Sequence, residues 1–494
     1  MVHLDRRQLL IAGGSLLGAS LACANGQRKS PMLFEPNRES LQTHAVPAWF
    51  KHAKYGIFIH WGPYSVPAFA PAPEALAGAS PDPANGFRFN PYAEWYLNTM
   101  QFEDSPTAEF HRATYGDASY DDFGGAFNES LQGWNPDEWA RVFQRSGARY
   151  VVLVTKHHDG FLLWPSATPN PHKPNWGTTR DVVGELAEAV RAQGLRFGTY
   201  YSGGIDWTFK HRRIGGLADL FANVPTSENY PAYANAHYAE LIERYRPDYL
   251  WNDIGYPSDV DAFGVLADYY NAVPEGLTND RWMTPDGVAH LEASAQPEGV
   301  DGMIPPEPPV WDVRTPEYSQ IRQLLPFDWE STRGLGRSFG FNRNEGEDDL
   351  LAADEIVTML VGSAAFGGNV LLNTGPRGDA QLDPLQVERL LEVGAWLESR
   401  GRTFQDTRAI SLPERTAGEI AVGAVENDDE LIVHLLGTPQ DSRVEVELPP
   451  VNVEEASLLG GENADAAVQE GRLVLAPERW PDSPIQTVVL RKST

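Results

Sequence analysis

The strongest constraint on the fold is a recurring unit, an amphipathic helix followed by an unbroken apolar strand. The run YVVLVT (150–155) shows no alternation of polar and apolar residues. A strand of that kind is covered on both faces, as strands of a parallel sheet are. The helix before it is legible from its ends. Asn135 predicts an N-cap, Pro136 suits the first turn, Asp137 and Glu138 lie near the positive end of the helix dipole, and Gly147 supplies the stop. Trp139, Val142 and Phe143 share one apolar face. The unit recurs as a helix over 181–193, then Gly194 and the strand RFGTYY, and again as a helix around 232–245 followed by DYLWND. YGIFIHW predicts a first strand, and NVLLNTG one of the last.

Serial units of this type predict an α/β chain with a (β/α)8-like, TIM-type barrel over residues 30–400. A doubly wound sheet is the alternative, but no GxGxxG follows any of these strands. Beyond Arg402 the pattern changes to short, partly alternating strands, LIVHLLG, RVEVELP, GRLVLAP and TVVLRK. They predict a C-terminal antiparallel β-sandwich over 402–494. Two stretches rich in Ala, Pro and Gly, 67–91 and 285–316, read as long loops that wall a pocket.

The start of the chain reads as an address. Arg6 and Arg7 precede a short apolar run, Leu9 to Leu21, and then small residues, the pattern of a twin-arginine-like export signal over residues 1–24. Ala22-Cys23-Ala24 fits a cleavage site. Lipidation of Cys23 is the competing outcome, less favoured because Ser20 stands where a large aliphatic residue is usual. The expectation is an exported protein, periplasmic or secreted, without a membrane span. Cys23 is the only cysteine, so thiol catalysis, thiolate zinc sites and iron–sulfur clusters are excluded from the mature chain. A formal net charge of −29 disfavours phosphate backbones and anionic lipid as partners and is compatible with a neutral ligand such as a sugar.

In a parallel barrel, chemistry gathers at the C-terminal ends of the strands. Polar residues fall there: His60, the pair His157 and His158, Tyr200 and Asp253. The two histidines are adjacent on an extended chain, where side chains point in opposite directions, so they make a poor metal pair. No G-x-S-x-G elbow and no P-loop is present. Asp253 ends a buried strand, an expensive place for a carboxylate that is neither bonded nor in use. Glycoside hydrolysis needs a second carboxyl group. Glu292, Glu298, Glu307, Glu317 and Glu330 are candidates, and spacing does not choose among them.

The segments WFKHAKYGIFIHWGPYSVPAF, EWYLNTM, YVVLVTKHHDGFLLWPS, FGTYYSGGIDW, LWNDIGYP, NDRW, DWESTRGLGRSFGFNRNE and GGNVLLNTGPRGD occur in this order. Together they resemble α-L-fucosidases of glycoside hydrolase family 29, over about Pro47 to Asp379. The resemblance implies a barrel with a C-terminal sandwich, and removal of terminal α-L-fucose from a fucosylated glycan with net retention. It implies no metal and no organic cofactor. It assigns Asp253 of LWND as nucleophile and Glu317 of RTPEYS as acid/base. Glu330 is the rival for the second role, its alternative use being an ion pair with Arg333. The implied sugar-binding set is His60, Glu94, Trp95, His157, His158, Tyr200, Arg281 and Phe339, with the histidines, Glu94 and Arg281 bonding ring hydroxyls. A fucose-binding protein without turnover is the competing reading, but binding alone has no need of a nucleophile. A retaining hydrolase of another sugar on a similar barrel is a further one. Linkage preference and oligomeric state lie outside what these residues imply.

Overall fold

Alternation decides where each face of the second strand goes. In Tyr150–Lys156 every residue is buried. Val151 and Leu153 pack with the surrounding helices, while Val152 and Val154 join a separate cluster with Phe58, Tyr200, Trp251 and Leu371. A strand buried on both sides in this way belongs to a closed parallel sheet wrapped by helices. The computed structural model describes residues 34–72, 86–227, 229–285, 300–303, 307–461 and 465–493. Residues 1–24, read above as an export signal, and Cys23 among them lie outside the described residues.

The strands of the main sheet are β1 (Tyr55–Ile59), β2 (Tyr150–Lys156), β3 (Arg196–Ser202), β4 (Tyr249–Asp253), β5 (Leu277–Thr278), β6 (Val300–Met303), β7 (Glu317–Ile321), β8 (Trp329–Gly334) and β9 (Gly368–Thr374). They run in the order β5-β4-β3-β2-β1-β9-β8-β7-β6, all neighbours parallel except β6 and β7. Parallel bridges Asn279↔Val313 and Arg314↔Trp329 close the circle. The pairing Glu317↔Thr332 keeps the offset of Arg314↔Trp329, so the backbone from Val313 to Glu317 is one continuous run between β5 and β8. That run fills the eighth position around the barrel and delivers Glu317 to the same end as Asp253.

The helices follow the sequence signals. Asn135 caps Pro136–Arg145 through its side chain, Asp181 caps Val182–Ala192, and Gly147 and Gly194 take positive φ after the two helices. The helix read around 232–245 spans Tyr230–Tyr245. The expectation of a loop over 285–316 is corrected in part. Val300–Met303 is a strand, and the backbone around Val313 is a stave of the barrel. Proline-rich composition hid both, because pairing here is supplied by neighbours already in place.

After the helix Pro384–Arg400 the chain forms antiparallel sheets. Arg408–Ile410, Ile420–Glu426, Glu430–Leu435, Gln486–Lys492 and Val453–Leu458 pair in that order, and Val444–Glu447, Arg472–Leu475 and Ala466–Gln469 form a second sheet. Val422, Val433, Val446, Leu473 and Val488 share the core between them. The architecture is a TIM-type barrel with a C-terminal β-sandwich. Among the described residues no helix is long and apolar enough to cross a membrane.

Candidate active site

One end of the barrel collects a polar side chain from nearly every stave. His60 follows β1, His157 and His158 follow β2, and Tyr200 and Ser202 lie in β3. Asp253 ends β4, Arg281 follows β5, Glu317 closes the eighth run, Phe339 follows β8 and Asn373 lies near the end of β9. The loop after β1 adds Glu94 and Trp95, both buried.

Arg281 organises the two carboxylates. Its Nη1 lies 3.2 Å from Asp253 Oδ1, and its Nη2 lies 2.6 Å from Glu317 Oε1. The terminal nitrogens of a planar guanidinium are about 2.3 Å apart, so those two carboxylate oxygens lie within about 8 Å of each other. Arg281 also donates from Nε to Thr315 Oγ1 and from Nη2 to the Thr315 carbonyl, and sits over the Trp251 ring at 4.9 Å. Most of its donors are therefore spent on the protein. Alongside the bond to ring hydroxyls that the resemblance implies for Arg281, these contacts give it a further use. It is a clamp between two acids.

Asp253 is held at both oxygens, because Tyr200 donates to Oδ2 at 2.7 Å. Burial raises its carboxyl above the ordinary aspartate range, and Arg281 and Tyr200 offset part of that rise. The residues after both acids, Ile254 (φ 51°) and Tyr318 (φ 49°), are in the left-handed region. A β-branched residue there is an outlier that only its surroundings can hold. Gly204 is part of what holds it: a Cβ at 204 would lie 1.8 Å from the Ile254 carbonyl oxygen, and Gly204 N donates to the Asp253 carbonyl at 3.1 Å.

Burial disfavours the charged form of all three histidines, and two of them, His60 and His158, are hydrogen-bonded to the protein. Burial holds His60 down to about 3 and puts His157 and His158 well below their ordinary value. His60 Nδ1 lies 2.6 Å from Asn373 Oδ1, and the Asn373 amide is oriented by donation to the Phe339 carbonyl. His158 Nδ1 lies 2.7 Å from Ser202 Oγ, whose own hydrogen goes to the Ile205 carbonyl. Both contacts make Nδ1 the donor and leave Nε2 of each ring as an acceptor for a hydroxyl. The expectation that His157 and His158 point apart is corrected. The chain leaves the strand at Lys156, and the two rings pack 4.0 Å apart.

Glu94 Oε2 accepts from Gly340 N at 2.7 Å, and burial pushes its carboxyl up to about 7. Trp95 packs against His158 at 5.0 Å, and Phe339 against His60 at 5.0 Å. Tyr64 meets the His157 ring at 5.4 Å and Trp207 the His158 ring at 5.6 Å, and the buried atoms His157 Nδ1, Tyr64 Oη and Trp207 Nε1 have no hydrogen-bond partner in the protein. Buried donors and acceptors left over in this way suit a polyhydroxylated guest. Among the described residues no three His, Cys, Asp or Glu side chains converge as metal ligands.

Glu330 lies elsewhere. It stands near the start of β8, wholly buried, and accepts hydrogen bonds from the hydroxyls of Tyr150 and, at 3.2 Å, Tyr249. Those tyrosines begin β2 and β4, so Glu330 belongs to the opposite end of the barrel from Asp253. Burial raises its carboxyl to about 8. The expected ion pair with Arg333 is replaced by this tyrosine pair; Arg333 instead donates to the Gly334 carbonyl and lies over the Tyr318 ring. Glu307 is an exposed partner of Arg314, and Glu292 and Glu298 fall outside the described residues.

Sequence reasoning missed the supporting residues Ser202, Thr315, Asn373, Tyr64 and Trp207. All lie beside or inside segments already singled out, but a residue that orients a histidine carries no sequence signal of its own.

A family model described as alpha-L-fucosidase matches residues 21–402. The chain is 34% identical over 391 residues to plasma alpha-L-fucosidase of Homo sapiens, covering 76% of this chain and 72% of that protein. To tissue alpha-L-fucosidase of Rattus norvegicus it is 29% identical over 505 residues, covering 98% and 97%. The crystal structure of Thermotoga maritima alpha-fucosidase in complex with fucose matches with a TM-score of 0.76 at 37% identity, over 92% of this chain and all of that one.

Proposed function

The chain belongs to the alpha-L-fucosidase family and is a glycoside hydrolase, and from that premise we propose that it releases terminal α-L-fucose by double displacement with net retention. The observation that carries this reading is the single guanidinium of Arg281 touching both Asp253 and Glu317. The relative solved with fucose supports fucose as the guest of the hollow lined by His60, Glu94, Trp95, His157, His158, Tyr200 and Phe339.

In the first step an oxygen of Asp253 bonds to the anomeric carbon as the glycosidic C–O bond breaks. The leaving oxygen takes its proton from Glu317. In the second step Glu317 removes a proton from water, the water oxygen bonds to the anomeric carbon, and the ester bond to Asp253 breaks. Arg281 and Tyr200 favour the ionised, attacking form of Asp253. The acceptor nitrogens of His60 and His158 and the carboxyl of Glu94 take the sugar hydroxyl hydrogens, while Trp95 and Phe339 meet its apolar side. The twin-arginine-like start supports export before this chemistry is used, and the barrel and sandwich are read as separate domains at 30–400 and 402–494.

The test is the anomeric configuration of the first product. Proton NMR of an aryl α-L-fucoside digest should show α-L-fucose first and β-L-fucose only through mutarotation. Initial β-L-fucose would overturn the double displacement.

A further inference from the structure

If Glu317 protonates the leaving oxygen, the departing group must lie against whatever flanks Glu317 on the side away from Asp253. Tyr318 is covalently next to it, and its backbone breaks the strand's alternation. In a regular strand consecutive side chains point to opposite faces. At Tyr318 the left-handed φ of 49° turns the ring back toward the pocket, where it meets Phe339 edge-on at 5.8 Å. The ring is pinned there. Its hydroxyl donates to the Arg337 carbonyl at 2.7 Å, and the Arg333 guanidinium covers it at 5.3 Å.

A second tyrosine completes the wall from another part of the chain. Tyr92, two residues before Glu94, meets the same Phe339 at 5.6 Å, and its hydroxyl lies among Tyr318, Glu317 and Glu94. Both tyrosines are half-buried rather than sealed in the core. The wall therefore runs from the carboxyl that grips the fucose hydroxyls to the carboxyl that protonates the bond being cut.

We propose that Tyr318 and Tyr92 form a rigid aromatic subsite for the leaving group, selecting fucosides whose departing group is a pyranose ring. This rests on the assignment of Glu317 as acid/base. Aromatic walls suit pyranoses because the axial C–H face of a sugar packs on a ring while its hydroxyls stay hydrated at the edge. A subsite fixed by packing also spends little entropy on ordering when the second sugar arrives.

The test compares kcat/KM on an α-L-fucosyl disaccharide with that on α-L-fucosyl fluoride, whose leaving group reaches no subsite and needs no ring. Tyr318→Ala should lower the ratio of the two values by about tenfold, with Tyr318→Phe restoring most of it. Should Tyr318→Ala not fold, Tyr92→Ala reports the same ratio from a separate loop. A ratio within twofold of the parent in the alanine variant overturns the subsite, as does a tenfold loss that Tyr318→Phe fails to restore. Glu317→Ala in the same panel separates the two readings: if it loses fluoride and disaccharide activity in equal proportion, the acid/base assignment fails, whatever Tyr318 shows.

Discussion

Tyr200 and Asp253 stand on neighbouring parallel strands, and the hydroxyl of the first donates to Oδ2 of the second at 2.7 Å. The register pairs Ser202 with Asp253, so the tyrosine sits two residues deeper in the barrel and reaches up to the carboxylate from below. Trp251, also deeper on β4, stacks under Tyr200 at 5.3 Å and carries Arg281 on its ring. Asp253 is thus held from beneath by a packed aromatic floor and from the side by a cation.

That contact has a pH consequence. In the proposed mechanism Asp253 attacks only when ionised, and Tyr200 is one of the groups restraining a carboxyl that burial pushes up. Removing the hydroxyl in Tyr200→Phe leaves burial less opposed, so the carboxyl rises further and the acid limb of kcat/KM moves to higher pH. An unmoved or lowered limb would show that the limb belongs to another group.

Asp253→Gly removes the attacking oxygen while leaving the pocket open. Turnover of an aryl fucoside should fall at least about a thousandfold. Sodium azide should restore part of it, with fucosyl azide as the product. Activity close to that of the parent would disprove the nucleophile assignment.

The two glutamates once in competition should now separate cleanly. Glu317→Ala should cost most with poor leaving groups and little with good ones, because only the former need a proton. Glu330→Ala leaves two tyrosine hydroxyls unpaired in the barrel, a loss of about 1–3 kcal/mol in folding stability with no dependence on leaving group. Denaturant titration beside a leaving-group series reads both. A steep leaving-group dependence in Glu330→Ala would transfer the acid/base role to it.

Glu94 titrates at about 7, pushed up by burial, so its charge changes across neutral pH. Above that value it is a carboxylate, and hydroxyl hydrogens bond a carboxylate more strongly than a neutral acid. Inhibition by fucose should therefore tighten from pH 6 to pH 8, and the trend should flatten in Glu94→Gln. The same slope in both proteins would assign it to a different residue.

Much of this was legible in the linear chain. The unbroken run from Tyr150 to Thr155, the caps at Asn135 and Asp181, and the glycines after their helices each state their structure locally, because burial on both faces and unpaired helix ends impose their own residue types. The polar residues at strand ends were visible for the same reason: the C-terminal edge of each strand can be located without knowing its neighbours. What stayed hidden was anything that depends on closure. Glu317 and Glu330 are 13 positions apart and chemically alike, and only the pairing of the Val313–Glu317 run beside β8 sends one to the mouth and the other to the opposite end. The clamp by Arg281 and the service of Asn373 to His60 have no local signature, since each joins groups from staves that meet only when the barrel is complete. Periodicity and end signals are short-range, so the sequence by itself determined the strands, the helices and where each strand stops. The partnership among the side chains is a long-range product of barrel packing, and the tertiary structure alone decided it.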